Sequence, residues 1–118
     1  MHEFAIASEL VAAGVREAER HGARRIERLE CHVGIQRQVV PEKLAEATAV
    51  AATGTLAERA VLHVETIPPV VTCRACGATE KPREWSFECS RCRSVDIRIE
   101  GGDELLLASV TLEVENGR

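Results

Sequence analysis

Cys73, Cys76, Cys89 and Cys92 stand in the pattern C-x2-C-x12-C-x2-C, and no other feature of the 118 residues limits the fold as sharply. Each two-residue gap lets one stretch of chain wrap a metal ion with two sulfurs, and two such knuckles complete a tetrahedron of thiolates. Zn2+ is the first choice for a closed cage of soft ligands, and the spacer leaves room for a small hairpin. Two alternatives stay open on spacing alone: iron in the same cage, which would imply electron transfer, and two disulfides or unpaired buried thiols. A segment this small has too little core to hold a structure without metal, so the ion is expected to be a folding element. Five cysteines suit a disulfide framework badly, and the paired knuckles fit a reducing compartment.

At 12.9 kDa the chain has room for one compact domain or two very small ones. Its 45% hydrophobic and 29% charged residues are ordinary globular usage. Aromatics are only 3%, so Val, Leu, Ile and Ala must build the core, and three rings make a poor base-stacking platform. A formal charge of −4 does not predict a polyanionic partner. Between residues 70 and 101 six basic residues face five acidic ones, and a zinc ion with four thiolates would turn that excess negative. Phosphate binding needs a clear positive excess, so a nucleic-acid role takes second place. No apolar run reaches the about 18 residues of a membrane span. His2 and Glu3 stand where a signal peptide would carry Lys or Arg, and the expectation is a cytoplasmic protein.

Hydrophobic periodicity organises the remainder. Residues 3–21 read as an amphipathic helix, with Ile6, Leu10, Val11, Gly14, Val15 and Ala18 on one stripe and Gly22 as its stop. Arg25 to Val33 alternates as a strand, with Leu29, Cys31 and Val33 on one side. Pro41 suits the start of a second helix over 41–53, with Leu44, Ala47, Val50 and Ala51 apolar and Gly54 ending it. Ala60 to Ile67 is a second strand, closed by Pro68-Pro69. Glu104 to Glu115 is a third, whose Leu105-Leu106-Leu107 run suggests burial on both faces. The expected fold is α+β: a small three-stranded sheet with two helices on one face, and an inserted four-cysteine module resembling a zinc ribbon. Residues 1–69 and 103–118 form the α+β domain, and 70–102 the module inserted before the last strand. Trp85 and Phe87 are expected to pack over the knuckles as the large apolar cover there.

The amino terminus is the other chemically loaded place. In Met1-His2-Glu3 a terminal amine, the amides that follow and an imidazole are nitrogen donors within reach of one ion. Four nitrogens favour square-planar Ni2+ or Cu2+ over tetrahedral Zn2+. On the residues alone, a solvated histidine on a frayed terminus is the commoner reading.

With MHE opening an amphipathic helix, Val33-Gly34, Pro41-Glu42 with Leu44, Gly54-Thr55, CRACG and CSRC knuckles and a closing apolar strand, the chain resembles the HypA/HybF family. These are nickel-insertion accessory proteins of hydrogenase maturation. The resemblance implies a nickel metallochaperone in which His2 is the nickel ligand, assisted by the Met1 amine and the amides of His2 and Glu3. It assigns Cys73, Cys76, Cys89 and Cys92 to structural zinc. Implied partners are a nickel-handling GTPase accessory protein and the large-subunit precursor of a [NiFe] hydrogenase, with urease served in some organisms; neither nucleic acid nor membrane is expected. The chain departs from the family pattern at Ile35-Gln36-Arg37-Gln38, where an acidic and a small residue often follow the glycine, and at Arg93, where a glycine usually follows the last cysteine. Should that position need positive φ, Arg93 would be strained.

Cys31 reads as a small buried hydrophobe, His21 as a helix cap, and His32 and His63 as surface positions on strands. No catalytic constellation stands out, and a closed thiolate site leaves no position for water, so a non-enzyme is expected. The competing class is a zinc-ribbon adaptor or nucleic-acid-binding module with an inert amino terminus.

Overall fold

The computed structural model describes residues 2–114; Met1 and residues 115–118 lie outside the described residues. The chain divides into two compact units. One holds the residues up to His32, Val39–Glu65 and those from Leu106 onward; the other holds Val33–Gln38 and Thr66–Leu105.

In the first unit, helix α1 spans Glu3–Arg20 and buries Ile6, Ala7, Leu10, Val11, Gly14 and Ala18, a stripe at helical spacing. It ends at His21, where the amides of His21 and Gly22 bond back to the carbonyls of Ala18 and Glu19, each at 3.2 Å. The His21 ring also lies 3.0 Å from the Glu17 carboxylate, which Arg20 reaches at the same distance. Strand β1 spans Ala23–Gly34. Leu29, Cys31 and Val33 are buried in alternation as expected, but Ile26 is buried too, so the alternation slips by one residue ahead of Leu29.

Helix α2 spans Pro41–Ala51, with Pro41 in its first turn. Its buried residues are Leu44 and Thr48, and Ala52 follows at the same four-residue step. Val50, expected inside, is 64% exposed. Helices α1 and α2 pack on one another, and Val11 and Ala18 cluster with Ile26, Leu29, Ala52 and Ala57 into one core.

Strands β2 (Val61–Ile67) and β6 (Leu105–Val114) flank β1 in a three-stranded sheet of order β2-β1-β6. Leu107, Val110 and Leu112 pack against the core cluster but are only half-buried, and Leu106 is 45% exposed. The leucine run is therefore not covered on both faces. An edge strand has one neighbour instead of two, and that halves the cover its side chains can find.

The second unit contains its own antiparallel sheet of order β4-β3-β5, built from β3 (Val70–Cys73), β4 (Thr79–Glu80) and β5 (Ile97–Glu100). Val70 pairs with Glu100 and Cys73 with Ile97, so entry and exit of the cysteine segment are zipped together. Beyond 70–102, this unit also takes in Val33–Gln38 and the prolines. The Gly34 amide donates to Glu104 O at 2.7 Å, the Gln36 amide to Gly102 O at 2.6 Å, and Arg37 Nε to Asp103 O at 2.8 Å. Here Gln36 and Arg37, which depart from the family pattern, make the loop's contacts. A side chain at Gly34 would meet the Gly102 backbone at 2.1 Å, so only glycine fits.

Candidate metal centre

The two knuckles repeat one backbone design. Cys73 N–H donates to Ala78 O and Cys89 N–H to Ser94 O, both at 2.8 Å. Gly77 N–H donates to Cys73 O and Arg93 N–H to Cys89 O, both at 2.9 Å. Each chain thus turns back on itself directly after its second cysteine, with positive φ at the turning residue: 80° at Gly77 and 68° at Arg93. Gly77 adopts this freely, whereas Arg93 carries the steric cost expected of it. Its guanidinium reaches Glu88 Oε1 at 3.1 Å.

The folded knuckles bring the four sulfurs within 4.8 Å of one another, with Cys73 Sγ 3.6 Å from Cys92 Sγ and Cys76 Sγ 3.7 Å from Cys89 Sγ. Sulfurs at about 2.3 Å from a central ion stand about 3.8 Å apart on a tetrahedron. A disulfide would need about 2.05 Å, and all five cysteines are free. Cys73 and Cys89 are buried while Cys76 and Cys92 face outward.

The thiols are chemically prepared for a cation. The amide of Cys76, 3.4 Å from Cys73 Sγ, leads the contacts that hold that thiol down at about 7. Amides of Cys92 and Arg91 hold Cys89 below the usual thiol range. The Ser94 amide pulls Cys92 down as well, but its hydrogen bond to Cys73, burial and the other two thiols drive it up to about 12. Thiolates this close repel one another, and a bound cation offsets that repulsion. The donor set, spacing and amide contacts fit a closed four-thiolate metal site.

Glu80 supports the second knuckle, a contact that spacing could not reveal. Its carboxylate accepts from Ser90 Oγ at 2.6 Å and from Ser90 N–H at 3.2 Å, which also holds it below the usual carboxylate range. Ser90 lies between Cys89 and Cys92, so β4 anchors the loop that carries both. The aromatic pair behaves differently from expectation. Trp85 and Phe87 stack edge to face at 5.0 Å, but Phe87 is 67% exposed rather than packed down as a cover.

At the other candidate site, Met1 lies outside the described residues. His2 is exposed, and its carbonyl accepts the Ile6 amide at 3.1 Å as α1 begins. Glu3 is buried, and its carboxylate accepts the Val40 amide at 3.4 Å, just ahead of α2. Cys31 is buried with its thiol pushed up to about 11 by desolvation and, secondarily, by Glu30. Among the described residues, no helix is long and apolar enough to cross a membrane.

A family model described as hydrogenase/urease nickel incorporation, metallochaperone, hypA matches residues 1–112. A hydrogenase maturation factor HypA of Chlorobium limicola is 41% identical over 113 residues, covering 96% of this chain and 97% of the relative. Another, of Picosynechococcus, is 40% identical over 110 residues, covering 93% and 97%. The solution structure of the Ni metallochaperone HypA from Helicobacter pylori matches with a TM-score of 0.65 at 25% identity, covering 98% of this chain and 100% of that one. The proteins of this family are chaperones of metal incorporation, not catalysts. Sequence, knuckle geometry and overall fold thus converge, and the chain belongs to the HypA/HybF family of nickel metallochaperones of hydrogenase maturation.

Proposed function

We propose that this protein carries Ni2+ at its amino terminus and delivers it to the large-subunit precursor of a [NiFe] hydrogenase in the cytoplasm, aided by a nickel-handling GTPase accessory protein, while zinc at Cys73, Cys76, Cys89 and Cys92 holds the second unit folded. The observation that carries the nickel reading is the placement of His2. It is exposed at the start of α1, where the first amides of a helix have no intrahelical carbonyl to bond. With Met1 as the first residue, its amine, the amides of His2 and Glu3 and the His2 imidazole make a four-nitrogen, square-planar set suited to Ni2+. Those amides must lose protons to bind, and doing so breaks no helical hydrogen bond. The Ile6-to-His2 bond uses the His2 carbonyl and is left intact. The Glu3 carboxylate accepts from its own backbone amide and from the Val40 amide and so anchors the helix start; Ni2+ at the Glu3 amide would displace the first of these contacts.

Zinc is the ion that suits the four-thiolate cage best, since a closed tetrahedral site of soft ligands asks nothing of the metal's d-electrons. It would supply structure and no reactive position. Three arginines of this unit are paired locally: Arg74 with Asp96, Arg93 with Glu88 and Arg98 with Glu100. That pairing supports a protein partner over a nucleic acid.

The test is a calorimetric Ni2+ titration of zinc-loaded protein with its native amino terminus, beside His2→Ala and a form with one extra N-terminal residue. One site per chain in the native form, absent from both others, is expected. Equal binding in all three would move nickel elsewhere and refute the terminal site.

A further inference from the structure

Four thiolates around one ion are also four reducing groups, and here their grouping is specific. Cys73 Sγ stands against Cys92 Sγ at 3.6 Å, and Cys76 Sγ against Cys89 Sγ at 3.7 Å. Each of these contacts crosses from one knuckle to the other, and each joins a buried cysteine to an exposed one. The buried members also accept amides of their own knuckles, Cys73 from Cys76 and Cys89 from Arg91, both at 3.4 Å. The exposed members, Cys76 and Cys92, face outward, and Phe87, 67% exposed, is not packed down over them. A small oxidant therefore meets Cys76 or Cys92 first, with a sulfur of the opposite knuckle within reach of each.

We propose that the cage is a reversible peroxide-sensitive switch, which exchanges its ion for two disulfides between the knuckles, Cys73–Cys92 and Cys76–Cys89. The exposed thiolate attacks one oxygen of the peroxide, so that an S–O bond forms as the O–O bond breaks. The products are a sulfenic acid and hydroxide, which takes up a proton to become water. The buried partner's thiolate then attacks that sulfur, the S–S bond forms and a second hydroxide leaves. Each disulfide takes two electrons from sulfur and reduces one peroxide. Two peroxides thus consume all four ligands and free the ion, whose own charge does not change if it is Zn2+. Closing each pair to the about 2.05 Å of a disulfide asks each sulfur to move about 0.8 Å.

Pairing across the knuckles has a structural consequence. The bonded cysteines lie 19 and 13 positions apart, so each disulfide closes a loop and keeps the knuckles together once the ion has gone. Bonds inside the knuckles, Cys73–Cys76 and Cys89–Cys92, would close only four-residue rings and let the two halves separate. A dithiol reductant returns the four thiolates, and the cage then takes up its ion again. The switch rests on the assignment of zinc to this cage.

The test treats the full-length, metal-loaded native chain with hydrogen peroxide. A chromophoric chelator follows released Zn2+, and mass spectrometry of alkylated digests maps the disulfides. Expected are Cys73–Cys92 and Cys76–Cys89, formed as one Zn2+ per chain is lost, while buried Cys31 stays a thiol. Dithiothreitol with Zn2+ should restore four thiols and the bound ion. Hydrogen exchange over Val70–Glu100 should stay protected in the oxidised protein and be lost when the reduced protein is chelated. Disulfides inside the knuckles, sulfinic or sulfonic acids in place of disulfides, a cage that keeps its ion and thiols until Cys31 is oxidised too, or an oxidised form as unprotected as the chelated one would each overturn the proposal. Metal analysis before oxidation tests the zinc assignment separately, and the disulfide pairing is read whichever ion fills the cage.

Discussion

Gly77 and Arg93 occupy equivalent turning points in the two knuckles, with the same backbone bond and the same sign of φ, yet one has a β-carbon. Arg93→Gly removes a left-handed cost of about 1 kcal/mol and loses an exposed ion pair with Glu88 worth less. The variant should therefore unfold at higher denaturant. Gly77→Ala should lose about 1 kcal/mol from the backbone alone, because nothing lies within 4 Å of the added carbon. Denaturant unfolding of the metal-loaded forms reads both, and shifts of the same sign would contradict the pairing. Cys31 tests a different property. With its thiol near 11, about one molecule in a thousand is thiolate at pH 8, and the group is also buried. Alkylating reagents should leave Cys31 unmodified in native protein and label it only in denaturant, as mass spectrometry would show.

At the scale of elements, local pattern gave both helices and the strands of the main sheet but misplaced some of their faces. On α2 the buried stripe runs Leu44, Thr48, Ala52 at four-residue steps. A search for apolar residues alone passes over Thr48 and takes Val50, which lies on the outer side. Strand β5 escaped notice because four residues, Ile97 to Glu100, are too few for alternation to stand out. The approach of Gly34 to Gly102 could not be read from sequence either, since the two are joined only by folding. It carries its own prediction: Gly34→Ala places a carbon 2.1 Å from backbone atoms that cannot give way. The loss should be about 3 kcal/mol or more, read by thermal unfolding. A near-neutral effect would show that the 33–38 loop is not held against residues 101–104.

At the scale of the molecule, the two units rest on different sources of stability. The first has an apolar core around Ile26 and Leu29, both fully buried. The second has strands of two to four residues and depends on its knuckles. Chelation of the metal should therefore collapse hydrogen-exchange protection over Val70–Glu100 while α1, α2 and β1 keep theirs. Uniform loss across the chain would show that the first unit cannot stand without the metal.

What the sequence alone determined are features encoded at short range or by exact spacing: the four-cysteine pattern, the helix stripes, the prolines that stop β2, the MHE terminus and the family they mark. These survive without coordinates because the physics behind them acts over a few residues, through metal-ligand bite, helical period and missing amide donors. What only the tertiary structure decided depends on residues far apart in the chain. It gathered the four sulfurs within 4.8 Å of one another, set Glu80 against Ser90, and showed Arg93 in the left-handed region. It also left the leucines of β6 half-covered on an open edge, because burial belongs to the number of neighbours a strand finds and not to its own composition.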